Sequence, residues 1–219
     1  MRAHHNGHEH ELEPEYGLPE RLPAGEDIVW QGSPSARELF FDVFHARALL
    51  AYFGLLLAWR FFSAVADSNS LPAATAATVW IMPIFALALA MFWALSVLMA
   101  RTTVYTLTNR RVVMRVGIVL SLTFNIPWSR IVAADVRRQR TGSGDIAFRL
   151  VHEDKIAYPH LWPHARPWHL SAPQPMLRGL PQVDAVAALA HAAWIKAARS
   201  QENTRVSSHT NESAWRVSA

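Results

Sequence analysis

"TVYTLTNRRVVMRVGIV", residues 103–119, is the stretch that decides the fold class of this 219-residue chain. Its β-branched and aromatic residues fall in two short runs, 104–108 and 112–116, with Asn109 and Arg110 between them. Residues stiff at χ1 pack better on a pleated surface than in a helix, so the pattern predicts a β-hairpin turning at Asn109-Arg110. Gly117 then breaks the pairing. This hairpin comes immediately after a segment, residues 68–100, that carries no charge at all.

Downstream, further short runs are separated by turn-forming residues. "IVLSLTFNI" (118–126) ends at Pro127, "IVAADVRRQ" (131–139) ends at the "TGSGD" turn, "IAFRLV" (146–151) ends at "HEDK", and "IAYP" (156–159) follows. Strands at this spacing, with turns between them, predict a small antiparallel barrel or sandwich rather than a parallel α/β unit. After Pro181, "QVDAVAALAHAAWIKAAR" places Val183, Val186, Ala190, Ala193, Trp194 and Ala197 on one helical face. An amphipathic helix of this kind is expected to close an open side of the sheet.

Upstream, "ATVWIMPIFALALAMFWALSVLMA" exceeds the roughly 20 apolar residues a helix needs to cross a bilayer, and a span is predicted over 79–99. Pro83 falls near its start, where a missing N–H breaks few hydrogen bonds. "ALLAYFGLLLAWRFFSAVA" (48–66) is a second candidate span with Arg60 inside it. That guanidinium is expected to snorkel to headgroups, pair with Asp67, or meet a partner helix. An N-terminal signal peptide is not expected, because a long polar stretch precedes the first apolar segment. Arg37 and Arg47 lie before the hairpin, and Arg101, Arg110, Arg111 and Arg115 after it, while its connection has little positive charge. Both termini are therefore expected on the cytoplasmic side of the membrane.

The fold class expected is an α+β membrane protein: a two-helix transmembrane hairpin followed by a cytoplasmic antiparallel body with a C-terminal helix. Its parts are a His/Glu-rich disordered tail over 1–17, a cytoplasmic segment over 18–47, the hairpin over 48–100, the body over 101–199 and a disordered tail over 200–219.

The chain contains no cysteine, which excludes disulfides, thiolate metal sites and cysteine nucleophiles. It has no P-loop, no GxGxxG after a strand and no HExxH, so no enzymatic constellation is present. Charge is unevenly spread: residues 101–140 hold eight arginines against the single acid Asp135. That basic half favours an anionic lipid surface or an acidic partner. Arg60, Arg101, Arg110, Arg111 and Arg115 are candidate membrane or partner contacts. Trp162 and Trp168 join them, because aromatics among prolines make stiff contact surface, although they could equally pack on the body. His4, His5, His8 and His10 have a metal-binding composition but no apolar framework to fix ligand geometry, so no metal site is expected.

"YTLTNRRVVMRVGI", "IPWSRIVAADV" and "GSGDI" together resemble the signature of bacterial pleckstrin-homology (PH)-like domains attached to membrane hairpins. "RLPAGEDIVWQGSPS", "FHARALLAYFGLLLAWR" and "LWPHARPWHLSAPQPMLRGLP" extend that likeness, in the same order, to the PuhB family of photosynthetic-complex assembly proteins of purple phototrophic bacteria. The resemblance covers about residues 18–199. It implies a PH-like body and a non-enzymatic factor that helps assemble the reaction centre with its core light-harvesting antenna. The partners implied are reaction-centre or antenna polypeptides and membrane lipids, with self-association compatible and nucleic acid not expected. No cofactor is expected; bacteriochlorophyll or haem is the candidate at His160, His164 and His169, with His45 a second pigment-ligand candidate. The competing reading is a general membrane-anchored PH-like scaffold, or anionic-lipid-binding protein, unrelated to photosynthesis.

Overall fold

The computed structural model describes residues 16–68, 70–118, 120–151 and 156–217. Along the chain run β1 (Ile28–Gly32), α1 (Ala36–Glu38), a π-helical turn at Leu39–Val43, α2 (Ala46–Ser68), α3 (Leu71–Val79) and α4 (Met82–Thr102). Then follow β2 (Val104–Thr108), β3 (Arg111–Val116), β4 (Leu122–Pro127), a 3-10 turn at Trp128–Arg130, β5 (Ile131–Arg138), β6 (Gly144–Leu150), α5 (Tyr158–Leu161), β7 (Met176–Leu180) and α6 (Val183–Val217). They form two compact units: Ser35–Arg101 is one, and the residues up to Pro34 combine with those from Thr102 onward to make the other.

The second unit is built from two antiparallel sheets, β1-β2-β3-β4 and β5-β6-β7, and they do not join into a closed barrel. The expected hairpin is present, with Val104 opposite Arg115 and Leu107 opposite Val112. β2 is buried at every position because it has strands on both sides and cover on both faces. Tyr105 and Leu107 face a core shared with Val112, Met114, Ile146 and Phe148. On the other face the Gln31 amide donates to Thr106 Oγ1 at 2.9 Å and to the Tyr16 carbonyl at 2.8 Å, drawing the N-terminal segment over the strand. β1, which supplies that glutamine, lies within the stretch read from sequence as a separate cytoplasmic segment, and it pairs with β2.

Three further expectations are corrected. "IAYP" is not a strand: Tyr158 begins the short helix α5, with Pro159 in its first turn, where no N–H is required. The sequence reading placed no strand at 176–180, but β7 lies there, its five residues all buried against β6. α6 does not stop at Arg199 but continues to Val217, across the residues assigned to a disordered tail. Its first turns bury Val183, Val186, Ala190 and Ala193 in the core, whereas Trp194 is only partly buried. The 1–17 tail, His4, His5, His8 and His10 included, lies outside the described residues except for Tyr16 and Gly17.

The other unit holds two helices long and apolar enough to cross a membrane, Ala46–Asp67 and Leu71–Thr102, the latter interrupted at Trp80. The interruption follows from Pro83, which offers no N–H and whose ring clashes with the carbonyl four residues earlier. α2 ends at Ser68 and α3 begins at Leu71, so the connection between them is short. An aromatic seam runs through this unit, with Phe53 stacked on Phe85 at 4.4 Å and Phe44 against Phe92 at 5.4 Å. Thr78 and Ser96 hydroxyls donate to carbonyls one turn back, the device that satisfies a hydroxyl in apolar surroundings. The remaining surface is apolar and open: Leu55, Trp59, Phe62 and Leu87 are each about two-thirds exposed. A core helix of a soluble protein would bury these side chains.

Candidate functional site

The β2–β3 turn is where the sequence placed its basic contact. Its geometry comes from residues 25–27 of the N-terminal segment. The Asn109 amide donates to the Gly25 carbonyl at 3.1 Å, and the Asp27 and Asn109 backbones bridge at 3.1 Å. The Thr108 hydroxyl accepts the Arg111 N–H at 2.9 Å and donates to Glu26 Oε1 at 2.8 Å. Glu26 is buried, and Arg111 reaches it through Nε at 2.8 Å and through a terminal nitrogen at 3.1 Å. A two-point pair of this kind is a structural clasp joining the N-terminal segment to β3. Arg111 is therefore not a free turn charge, and reversing it would set two carboxylates against each other in a buried place. Arg110 is exposed, with its guanidinium over Gly25, and remains the turn's outward cation.

Arg115 is half-buried on β3, Arg101 is exposed near the end of α4, and Arg60 is half-buried within α2. Among the described residues no ion pair joins Arg60 to Asp67. The predicted cations thus lie on several elements.

The tryptophans are exposed rather than packed on the body. Trp162 is 57% exposed and Trp168 93%, with Leu170 beside them in sequence at 66%. The segment carrying them is held at its base: Met176 N–H donates to the His164 carbonyl at 2.8 Å, and Arg166 N–H to the Gln174 carbonyl at 2.9 Å. The Arg166 guanidinium also reaches Gln174 at 2.9 Å and the Asp135 carboxylate on β5. Apolar side chains are thereby presented on a fixed base.

The four histidines proposed for pigment differ sharply. His45 is exposed, adopts positive φ, and its carbonyl accepts the first N–H bonds of α2. His160 is exposed on α5, and His169 Nδ1 donates to the Pro167 carbonyl at 2.9 Å. His164 is buried, and it belongs to a polar network that sequence reading did not anticipate. The Arg178 N–H donates to the Tyr105 hydroxyl at 3.2 Å, leaving that hydroxyl to donate to His164 Nδ1 at 2.7 Å. The ring proton therefore sits on Nε2, facing Thr103 Oγ1 at 3.4 Å. Both nitrogens are engaged, so His164 has none to offer a pigment's metal.

Burial pulls the His164 imidazole down to about 3, assisted by the neighbouring Arg178 charge. Burial likewise raises Tyr105 well above the ordinary phenol range, against the Arg178 N–H bond, which opposes the rise. Arg178 is lowered by burial and partly restored by Asp145. Asp145 accepts the Gly179 N–H at 3.0 Å, a geometry that depends on the positive φ of Gly179 within β7. These groups lock β2, β6, β7 and the tryptophan-bearing segment together. Among the described residues, no group of three or more His, Cys, Asp or Glu is placed to hold a metal ion.

Two antiparallel sheets followed by a helix are the frame of a known domain family. The model for the bacterial PH domain matches residues 46–194. This chain belongs to the bacterial PH domain family. It is also 34% identical over 181 residues to an uncharacterized 23.7 kDa protein in the puhA 5' region of Rhodobacter capsulatus, covering 82% of this chain and 85% of that one. The likeness supports the PuhB-like reading made from the sequence blocks. No solved structure matches. The family is one of non-catalytic, scaffold-type domains, in keeping with a body whose buried polar groups serve packing.

Proposed function

We propose that this chain is a membrane-anchored, non-enzymatic assembly factor for the photosynthetic reaction centre and its core antenna. The observation that carries the reading is the likeness, over more than four-fifths of both chains, to the Rhodobacter protein from the puhA 5' region, in agreement with the sequence blocks shared with assembly proteins. The exposed apolar surface of α2 and α4 supports a bilayer location, since water would not leave such surface uncovered. Arginines at both ends of the hairpin support an inner-membrane location with both termini cytoplasmic. Arg110 and the exposed Trp162 and Trp168 are the residues assigned to lipid headgroups or client segments, and antenna or reaction-centre polypeptides are the partners.

Deleting the gene in a phototrophic host tests this. The expected result is slower accumulation of reaction centre–antenna complex, with normal absorption of the complexes that form and normal pigment synthesis. Complementation should require hairpin and body in one chain, because each raises the local concentration of the client for the other. Normal complex levels through the shift to phototrophic growth would overturn the assembly role and leave a general lipid-binding scaffold.

A further inference from the structure

α6 does not lie flush on the sheet it crosses. Between it and β5–β6 is a cleft of about 270 Å³, walled by Ile131, Ala134 and Val136 on one side and by Ala187, His191 and Trp194 on the other. The small side chains of Ala187 and Ala190 open the gap, and Trp128 and Phe148 deepen it. Ala134, though it lines the cleft, is exposed. The volume is below the roughly 300–1,000 Å³ of sites that enclose a drug-sized ligand, and suits one or two large apolar side chains.

The neighbouring backbone points the same way. β5 is the outer strand of its sheet: β6 pairs with one side, and no described strand pairs with the other. An unpaired edge beside an apolar cleft is a template for an added strand, in which main-chain bonds supply affinity and alternate side chains enter the pocket. Charge selects the occupant. Residues 128–150 hold five arginines and two aspartates, and the side chains of Arg137 and Arg138 are 64% and 63% exposed. Asp184 holds Arg138, Asp145 lies 3.8 Å from Arg137, and Asp135 is shared between Arg149 and Arg166; with Arg130 and Arg140 added, arginines still outnumber aspartates and the rim keeps a positive excess.

We propose that the cleft between β5 and α6 binds an extended protein segment that adds to the β5 edge, with large apolar residues at alternate positions and acidic residues between them. This site does not depend on the assembly role. A deletion strain without an assembly defect would leave it intact.

The test is panning of phage-displayed random nine-residue peptides against the full chain in lipid nanodiscs, with the Ala134→Asp and Ala187→Phe variants as counter-targets. Enriched peptides should alternate large apolar with acidic residues. Methylation of their backbone nitrogens on one edge should weaken binding by about tenfold or more, as should either variant. Ala134 is exposed, so its variant reports on the site even where the bulkier Ala187→Phe disturbs packing. No enrichment over the variants, indifference to N-methylation, or selection of basic sequences would each overturn the proposal. So would displacement of selected and N-methylated peptides alike by a fatty-acid amphiphile, since that would mark a lipid-chain pocket.

Discussion

The buried imidazole of His164 makes the stability of the body depend on pH in a way that one substitution isolates. In the folded chain its Nδ1 accepts the Tyr105 hydroxyl at 2.7 Å and burial holds it neutral down to about 3, whereas an unfolded histidine protonates near 6.5. Between those values the unfolded chain binds the extra proton, so stability is lost as pH falls through the window and is fully present above it. Each pH unit is worth 1.36 kcal/mol, so the loss at pH 4.5 is about 3 kcal/mol, a large share of a typical domain's stability. The comparison is His164→Asn, whose amide oxygen can still accept from Tyr105 but does not titrate. At pH 7.5 this variant should be about 1–2 kcal/mol less stable, because a smaller side chain leaves a void. On acidification to pH 4.5 it should lose about 3 kcal/mol less than the parent, while carboxylates common to both proteins cancel. Hydrogen exchange of β6 and β7 amides, in nanodisc-embedded full chain and corrected for intrinsic rates at each pH, measures both quantities. Equal losses in parent and variant would show that His164 is protonated in the fold and refute the buried-neutral assignment.

Glu26→Gln should destabilise the body by about 3 kcal/mol by stranding Arg111, and Arg111→Glu should be at least as costly, whereas Arg110→Glu should stay within about 0.5 kcal/mol; exchange of β2 and β3 amides separates them. Tyr105→Phe should cost about 1–3 kcal/mol, because it leaves the Arg178 N–H and His164 Nδ1 without a partner, again read from β7 exchange. Trp168→Ala should leave stability unchanged, since the ring is 93% exposed, yet reduce the photosynthetic polypeptides recovered by cross-linking and affinity purification. A cysteine at Ser70 should label from the periplasm and one at the exposed Thr141 should not; the reverse pattern in sealed cells would invert the proposed topology.

Much of the architecture was legible because it depends on local signals. The β-branched runs around Asn109 marked β2 and β3, an uncharged 33-residue stretch marked an apolar helix, and the 3.6 period placed Val183, Val186, Ala190 and Ala193 on the buried face of α6. These patterns act over a few residues, so the sequence alone determined the hairpin, the antiparallel sheets and the buried stripe. Partners distant along the chain were not legible. Glu26 and Arg111 lie 85 residues apart, and nothing near either one signals that the carboxylate is buried and waiting for the guanidinium. His164 read as one of several histidines in a proline-rich stretch, and only the fold places it against Tyr105, 59 residues earlier, removing it from the pigment-ligand candidates. β7 was hidden because "MLRGL" is too short and too interrupted to show a period; β6 beside it supplies the hydrogen bonds that its own sequence does not advertise. The cleft beside β5 has no sequence signature, since a void is set by the distance at which α6 settles over the sheet. Local propensity and periodicity thus determined which elements form, while burial and long-range polar pairing, which exist only once the elements pack, decided which arginine is free, which histidine is sealed and which strand edge stays open.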